Sequence, residues 1–113
     1  MVAKNYIPDR GDLIWIEFNP QSGHEQAGKR PALVISPIEY NRISGLCILF
    51  PITGKIKGYP FEVEIITSHI SGVVLADQVK SLDWKTRNAQ FICHIDHGIV
   101  DEVISLFETL IND

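Results

Sequence analysis

Gly11-Asp-Leu-Ile-Trp-Ile-Glu-Phe-Asn-Pro20 is a run of aromatic and β-branched residues stopped by an Asn-Pro pair. Within it, Asp12 to Phe18 alternates, with Leu13, Trp15 and Glu17 on one face and Ile14, Ile16 and Phe18 on the other, which predicts a strand with Trp15 in the core. Asn19-Pro20 ends that strand and opens a long polar loop. Arg30 to Ile35 returns as a second strand, and Leu46 to Phe50 is a third, strongly apolar strand that delivers Pro51-Ile-Thr53 at its end. Ser36 to Ser44 reads as a short helical turn, with Ser36 as N-cap and Pro37 at the first helical position. Phe61 to Ile66 alternates acid with apolar side chains as a half-exposed strand, after the Gly58-Tyr-Pro60 turn. Gly72 to Ala76 and Ala89 to Ile95 supply two more strands, separated by Ser81 to Trp84, which reads as a tight turn or one turn of helix. From Ile99 the period changes. Val100, Val103, Ile104, Phe107, Leu110 and Ile111 recur at three and four, and Asp101 and Glu102 fall in the expected first turn, where carboxylates suit the helix dipole. Several short strands and one closing amphipathic helix predict a mainly β fold with α, a strongly bent antiparallel sheet or small barrel spanning residues 1–113 as one domain.

Hydrophobic content of 45% with 21% charged residues excludes a disordered chain, and the apolar runs are too short to span a membrane. The N-terminus has no sustained apolar stretch of a secretory peptide, so the expected compartment is the cytoplasm. At 113 residues the chain builds a core of its own, and a second copy would help bury apolar surface. Cys47 and Cys93 lie in apolar strands without Cys-x-x-Cys spacing and read as small buried hydrophobes, with Trp84 at a sheet edge or a subunit contact. His69, His94 and His97 are scattered and make no metal set.

A formal charge of −4 argues mildly against a nucleic-acid partner, so its distribution matters. Residues 1–28 carry two bases and four acids (−2), residues 29–87 eight bases and five acids (+3), and residues 88–113 five acids and no base (−5). The middle of the chain can therefore present a basic groove.

The loop Ser22 to Ala32, Ser-Gly-His-Glu-Gln-Ala-Gly-Lys-Arg-Pro-Ala, gathers a carboxylate, an imidazole, two cations and two glycines beside a strand, a composition suited to phosphate handling. Arg30 sits where this loop meets the strand, and its planar fork of donors makes paired hydrogen bonds to a phosphate. His24 and Glu25 can move protons. The structural alternatives are an Arg30 salt bridge to Glu25 or Glu17, a strand-end cap for Thr53, and a turn in which Asp77 bonds its own backbone.

Read with Pro51-Ile-Thr53, Lys57-Gly-Tyr-Pro-Phe-Glu-Val63 and Gly72-Val-Val-Leu-Ala-Asp-Gln-Val-Lys-Ser81, the loop and the opening strand resemble the MazF/PemK family of toxin endoribonucleases, MazF branch, in order and almost without gaps from about Tyr6 to Ile111. The resemblance implies an SH3-like barrel and a metal-independent, cofactor-free, sequence-selective cleavage of single-stranded RNA, chiefly messenger RNA, leaving a 2′,3′-cyclic phosphate and a 5′-hydroxyl. It also implies a homodimer silenced by an acidic MazE-type antitoxin. By the same resemblance Arg30 and Thr53 are the cleavage residues. Glu25 and His24 belong to the catalytic site with the general base left open between them and substrate or water groups. Gln26, Lys29, Lys55, Lys57, Asp77, Gln78 and Lys80 are RNA-binding candidates, the lysines tracking the backbone and Asp77 and Gln78 reading base edges. PemK-type members carry an Arg two residues before the Asp of the Asp-Gln pair. Here that position is Leu75, which shifts the chemistry to Arg30 and Thr53. Two other readings use the same barrel. One is a CcdB-type gyrase poison, disfavoured because Glu108-Thr-Leu-Ile-Asn-Asp113 ends without an aromatic, and the other is a non-catalytic scaffold that binds RNA or antitoxin.

Overall fold

The computed structural model describes residues 5–18 and 28–112, and the described chain forms seven strands and two helices. They are β1 Asp12–Glu17, β2 Lys29–Val34, α1 Ile38–Ser44, β3 Leu46–Thr53, β4 Glu62–Ile66, β5 Ser71–Leu75, β6 Lys80–Asp83, β7 Gln90–His94 and α2 His97–Ile111. The sheet runs β4-β5-β3-β2-β1-β7 with every pair antiparallel, and β6 also pairs with β3. One edge of β3 holds β2, so β5 and β6 share the other: β5 lies along Ile52 and Thr53, β6 along Leu46 to Leu49. The turn from β6 to β7 folds back onto β1 through Glu17 N donating to Arg87 O at 3.0 Å. The sheet is thereby curled into a half-barrel of SH3-like form, with α2 as the C-terminal helix.

The alternation in β1 is used on both sides. Leu13, Leu33 and Phe50 join Val63, Ile65, Val74, Val100 and Val103 in one core between the sheet and α2. Ile14, Ile16, Ala32, Val34, Cys47 and Leu49 fill the inside of the curl, closed by Tyr6, Phe18, Leu82 and Trp84. Burying each such side chain contributes roughly 1.5–3 kcal/mol, and strands covered on both faces read as continuous apolar runs. No helix among the described residues is long and apolar enough to cross a membrane.

Local details differ from expectation. Ser81 to Trp84 is mostly strand: Lys80–Asp83 pairs with β3, a four-residue half-polar segment that becomes a strand only through its partner. Pro37, not Ser36, is the N-cap of α1, and no side chain of its own caps the helix. Ser36 is buried instead, donating to Asn41 Oδ1 at 2.6 Å and accepting from Ile48 N at 2.8 Å, while Asp9 Oδ1 takes Ile38 N at 3.0 Å. The closing helix starts two residues earlier than its apolar period, at His97, with Asp96 as N-cap accepting from Gly98 N. Asp101 and Glu102 therefore lie beyond the first turn. Trp15 is half-buried rather than core, Cys47 is buried and Cys93 half-buried, and Trp84 stands at the end of edge strand β6 with Nε1 donating to Asn41 O at 2.9 Å.

Candidate functional site

The strand register relates Arg30 to Thr53 by side of the sheet. Arg30 lies opposite Ile16 on β1, and Ala32 lies opposite Pro51 on β3. The β2–β3 pairing ends at Ala32 and Pro51, two residues short of Arg30 and of Thr53, and the alternation of side chains along each strand puts both on the Ile16 side of the sheet. Beyond the last core side chains this position is the mouth of the curl, where Arg30 is exposed and Thr53 half-buried. Neither ion pair among the described residues includes Arg30, and Glu17 instead accepts from Asn88 Nδ2 at 3.1 Å. The Thr53 hydroxyl accepts from Lys55 N at 3.1 Å, which is the strand-end cap, and that bond uses a lone pair and leaves the hydroxyl proton to donate. A guanidinium and a hydroxyl donor on one side of adjacent strands can grip an anion.

The remaining candidates divide by face and by loop. Lys80 pairs with Leu49, so it shares the Arg30 side, whereas Lys29 faces the opposite side, where its Nζ donates to Gln90 Oε1 at 3.0 Å. Lys55 and Lys57 are exposed on the connection from β3 to β4. Asp77 and Gln78 form an exposed turn closed by Gln78 N donating to Leu75 O at 3.1 Å, and among the described residues Asp77 makes no side-chain bond to its own backbone. His24, Glu25 and Gln26 lie outside the described residues. Among the described residues no three His, Cys, Asp or Glu side chains gather as a metal group.

Three supports of the site carry no signature in the sequence. The Arg87 guanidinium donates to Glu17 O at 3.1 Å and Phe18 O at 2.9 Å, while Phe18 N donates to Gly28 O at 2.9 Å, so the strand ends leading to Arg30 are tied together. Glu62 accepts from Lys57 N at 3.1 Å and Gly58 N at 2.9 Å, which organises the connection after Thr53. Gly72 lies so close to β3 that a Cβ there would overlap the Thr53 carbonyl oxygen. A separate polar cluster, Tyr6, Asp12 and His94, sits at the opposite end of β1 from Arg30's partner Ile16.

Known proteins are similar to this chain in sequence and in fold. A family model described as PemK-like, MazF-like toxin of type II toxin-antitoxin system matches residues 9–111. The endoribonuclease toxin MazF of Escherichia coli (strain K12) is 52% identical over 88 residues, covering 78% of this chain and 79% of that one. The crystal structure of MazF (Form-I) from Deinococcus radiodurans matches with a TM-score of 0.86 at 45% identity, over 96% of this chain and 100% of that chain. A MazE-MazF crystal structure (Form-II) from the same organism matches with a TM-score of 0.85 at 40% identity, over 96% and 98%.

Proposed function

Since this chain belongs to the PemK-like, MazF-like toxins of type II toxin–antitoxin systems, we propose that it is an endoribonuclease that cuts single-stranded RNA, chiefly messenger RNA, at selected sequences without a metal. The observation that supports the reading most is the common side of Arg30 and Thr53 on the sheet, with no carboxylate among the described residues paired to the guanidinium. RNA carries its own nucleophile. Attack by the ribose 2′-oxygen on the adjacent phosphorus forms a 2′,3′-cyclic phosphate and expels the 5′-oxygen, which leaves as a hydroxyl after taking a proton. Arg30 meets the charge that grows on the non-bridging oxygens, and the Thr53 hydroxyl adds a neutral donor. Removal of the 2′-proton falls to Glu25, His24 or a water or substrate group. Lys55, Lys57 and Lys80, with Gln26, hold the backbone, while Lys29 is engaged by Gln90 on the other side of the sheet, and Asp77 and Gln78 face base edges.

The whole chain, 1–113, acts as one domain in this proposal, and the working unit is a homodimer. The likeness to a MazE-MazF structure supports a MazE-type antitoxin as the silencing partner, an acidic segment competing with RNA phosphates for the same cations.

Purified protein incubated with a long RNA in excess EDTA tests the proposal. Discrete cuts are expected, with Arg30→Ala slowing cleavage about a hundredfold, as loss of one transition-state donor does, and Thr53→Ala lowering it in the same direction. Circular dichroism verifies that both variants fold. Cutting that requires an added divalent cation, or that survives unchanged in Arg30→Ala, contradicts the mechanism.

A further inference from the structure

The connection Gly54 to Phe61 leaves Thr53 and crosses to β4, because β3 and β4 both run antiparallel to the β5 strand between them. A crossing of this kind without regular structure needs internal bonds to hold a shape. Glu62 supplies them by accepting from the backbone of Lys57 and Gly58, and Gly58 takes the left-handed conformation (φ 82°) that the turn requires. Glu62 N then donates to Tyr59 O at 3.2 Å. The outcome is a fixed turn that displays an aromatic ring in solvent. Tyr59 is 56% exposed, and the Lys57 ammonium stands 5.7 Å from the ring centroid, within cation–π range.

The place of this ring matters. Ala76 N donates to Phe61 O at 2.9 Å, so the foot of the connection is tied to the residue immediately before the exposed Asp77-Gln78 turn. One end of the segment is therefore at Thr53 and the other beside two side chains able to read a base edge. We propose that Tyr59 is a stacking platform for one unpaired nucleobase of the RNA, presented by Glu62 and covered on one face by Lys57, with Asp77 and Gln78 set beside it to meet the edge of that base. The inference rests on the RNA-cleaving reading and extends it to a specificity residue. Stacking on an exposed, pre-positioned aromatic is strong and tolerant of base identity, so the ring supplies affinity while the neighbouring polar pair supplies choice. Glu62 touches no RNA in this scheme and is a positioning residue.

The experiment compares wild type with Tyr59→Ala, Tyr59→Phe, Glu62→Ala and the Tyr59→Ala/Glu62→Ala double variant, all with the folded circular dichroism spectrum. Cleavage of a randomised RNA pool in EDTA gives the base preference around the cut, and titration gives kcat and KM separately. Binding of a fluorescent 2′-O-methyl RNA, which lacks the nucleophile, is measured alongside. Tyr59→Ala is expected to raise KM and weaken binding about tenfold with kcat little changed, and to flatten the preference at one position, while Tyr59→Phe behaves as wild type. Glu62→Ala moves the same parameters in the same direction, and the double variant is no worse than Tyr59→Ala alone. Unchanged KM, binding and preference in Tyr59→Ala overturn the platform while leaving the nuclease standing. A wild type that cuts nothing overturns the nuclease reading, and the binding arm then decides the platform by itself: equal or absent binding in wild type and Tyr59→Ala rejects it.

Discussion

Asp12 is a carboxylate only 5% exposed, and a buried charge of this kind survives by being surrounded with donors. It has three: Tyr6 Oη at 2.6 Å and Asp9 N at 3.0 Å on one oxygen, and His94 Nδ1 at 2.8 Å on the other. Removing one leaves the carboxylate underserved, so Tyr6→Phe is expected to lower stability by about 1–3 kcal/mol, read from urea midpoints. The same residue sets an alkaline limit. Burial first, and then the hydrogen bond to Asp12, push the Tyr6 phenol well above its ordinary 10.0, and burial pushes the Cys47 thiol from 9.0 up to about 12. Both groups keep their protons in the folded state after the unfolded chain has released them. Their contribution is therefore complete below about pH 9 and is lost progressively as pH rises from there towards 12. Urea midpoints are expected to hold level from pH 7 to about 8.5 and to fall beyond, with a shallower fall in Tyr6→Phe; a level profile to pH 11 would contradict this account of the two groups. None of this was visible in the sequence, because Asp12 and His94 are 82 positions apart.

At the scale of elements, β3 is the strand that pairs with β2, β5 and β6, and it meets β5 in close approach. Gly72 faces the Thr53 carbonyl at a separation that no Cβ can share. Gly72→Ala must therefore move β5 away from the strand end that carries Thr53, an overpacking that costs about 1–3 kcal/mol in thermal unfolding. In the proposed enzyme it also lowers the cleavage rate of the molecules still folded. A variant with wild-type Tm and wild-type cleavage would mean that the close approach is not needed. The strands β1, β2 and β3 were legible because each is a run of aromatic, β-branched or apolar residues bounded by turn or loop signals. β6 was not, since Lys80-Ser-Leu-Asp83 has neither the length nor the pattern, and its hydrogen bonds to β3 alone make it a strand. For the site the division is similar. Arg30 and Thr53 could be picked out by residue type and by family likeness, but their place on one side of the sheet is a property of the β2–β3 register, which no local window encodes. Arg87 is the plainer omission: a lone cation in a turn, it gains meaning only when the fold brings it to the carbonyls of Glu17 and Phe18, 70 and 69 positions away.

For the molecule as a whole, the charge map poses a test of where RNA sits. The formal charge is −4, and α2 with its cap contributes Asp96, Asp101, Glu102 and Glu108 with no base, so a polyanion approaches against the net field. Affinity must then come from a local group of cations on the Arg30 side and the connection after β3: Arg30, Lys55, Lys57 and Lys80. At 0.1 M salt the screening length is about 10 Å, which mutes distant carboxylates more than it mutes direct phosphate contacts. Each phosphate neutralised on a single strand adds about −0.7 to the slope of log affinity against log salt, so four contacts give a slope near −3. Binding of 2′-O-methyl RNA measured from 0.05 to 0.4 M salt should show that slope, reduced by about 0.7 in Lys55→Gln and again in Lys80→Gln. The change should be smallest for Lys29→Gln, since that ammonium is engaged by Gln90 on the opposite side of the sheet. Asp101→Asn should raise affinity only at the lowest salt and leave the slope in place, because it alters the long-range field and no phosphate contact. A slope that responds to Asp101 and ignores Lys55 and Lys80 would move the RNA off the mouth of the curl and onto the helix face, and with it the proposed roles of Arg30 and Thr53.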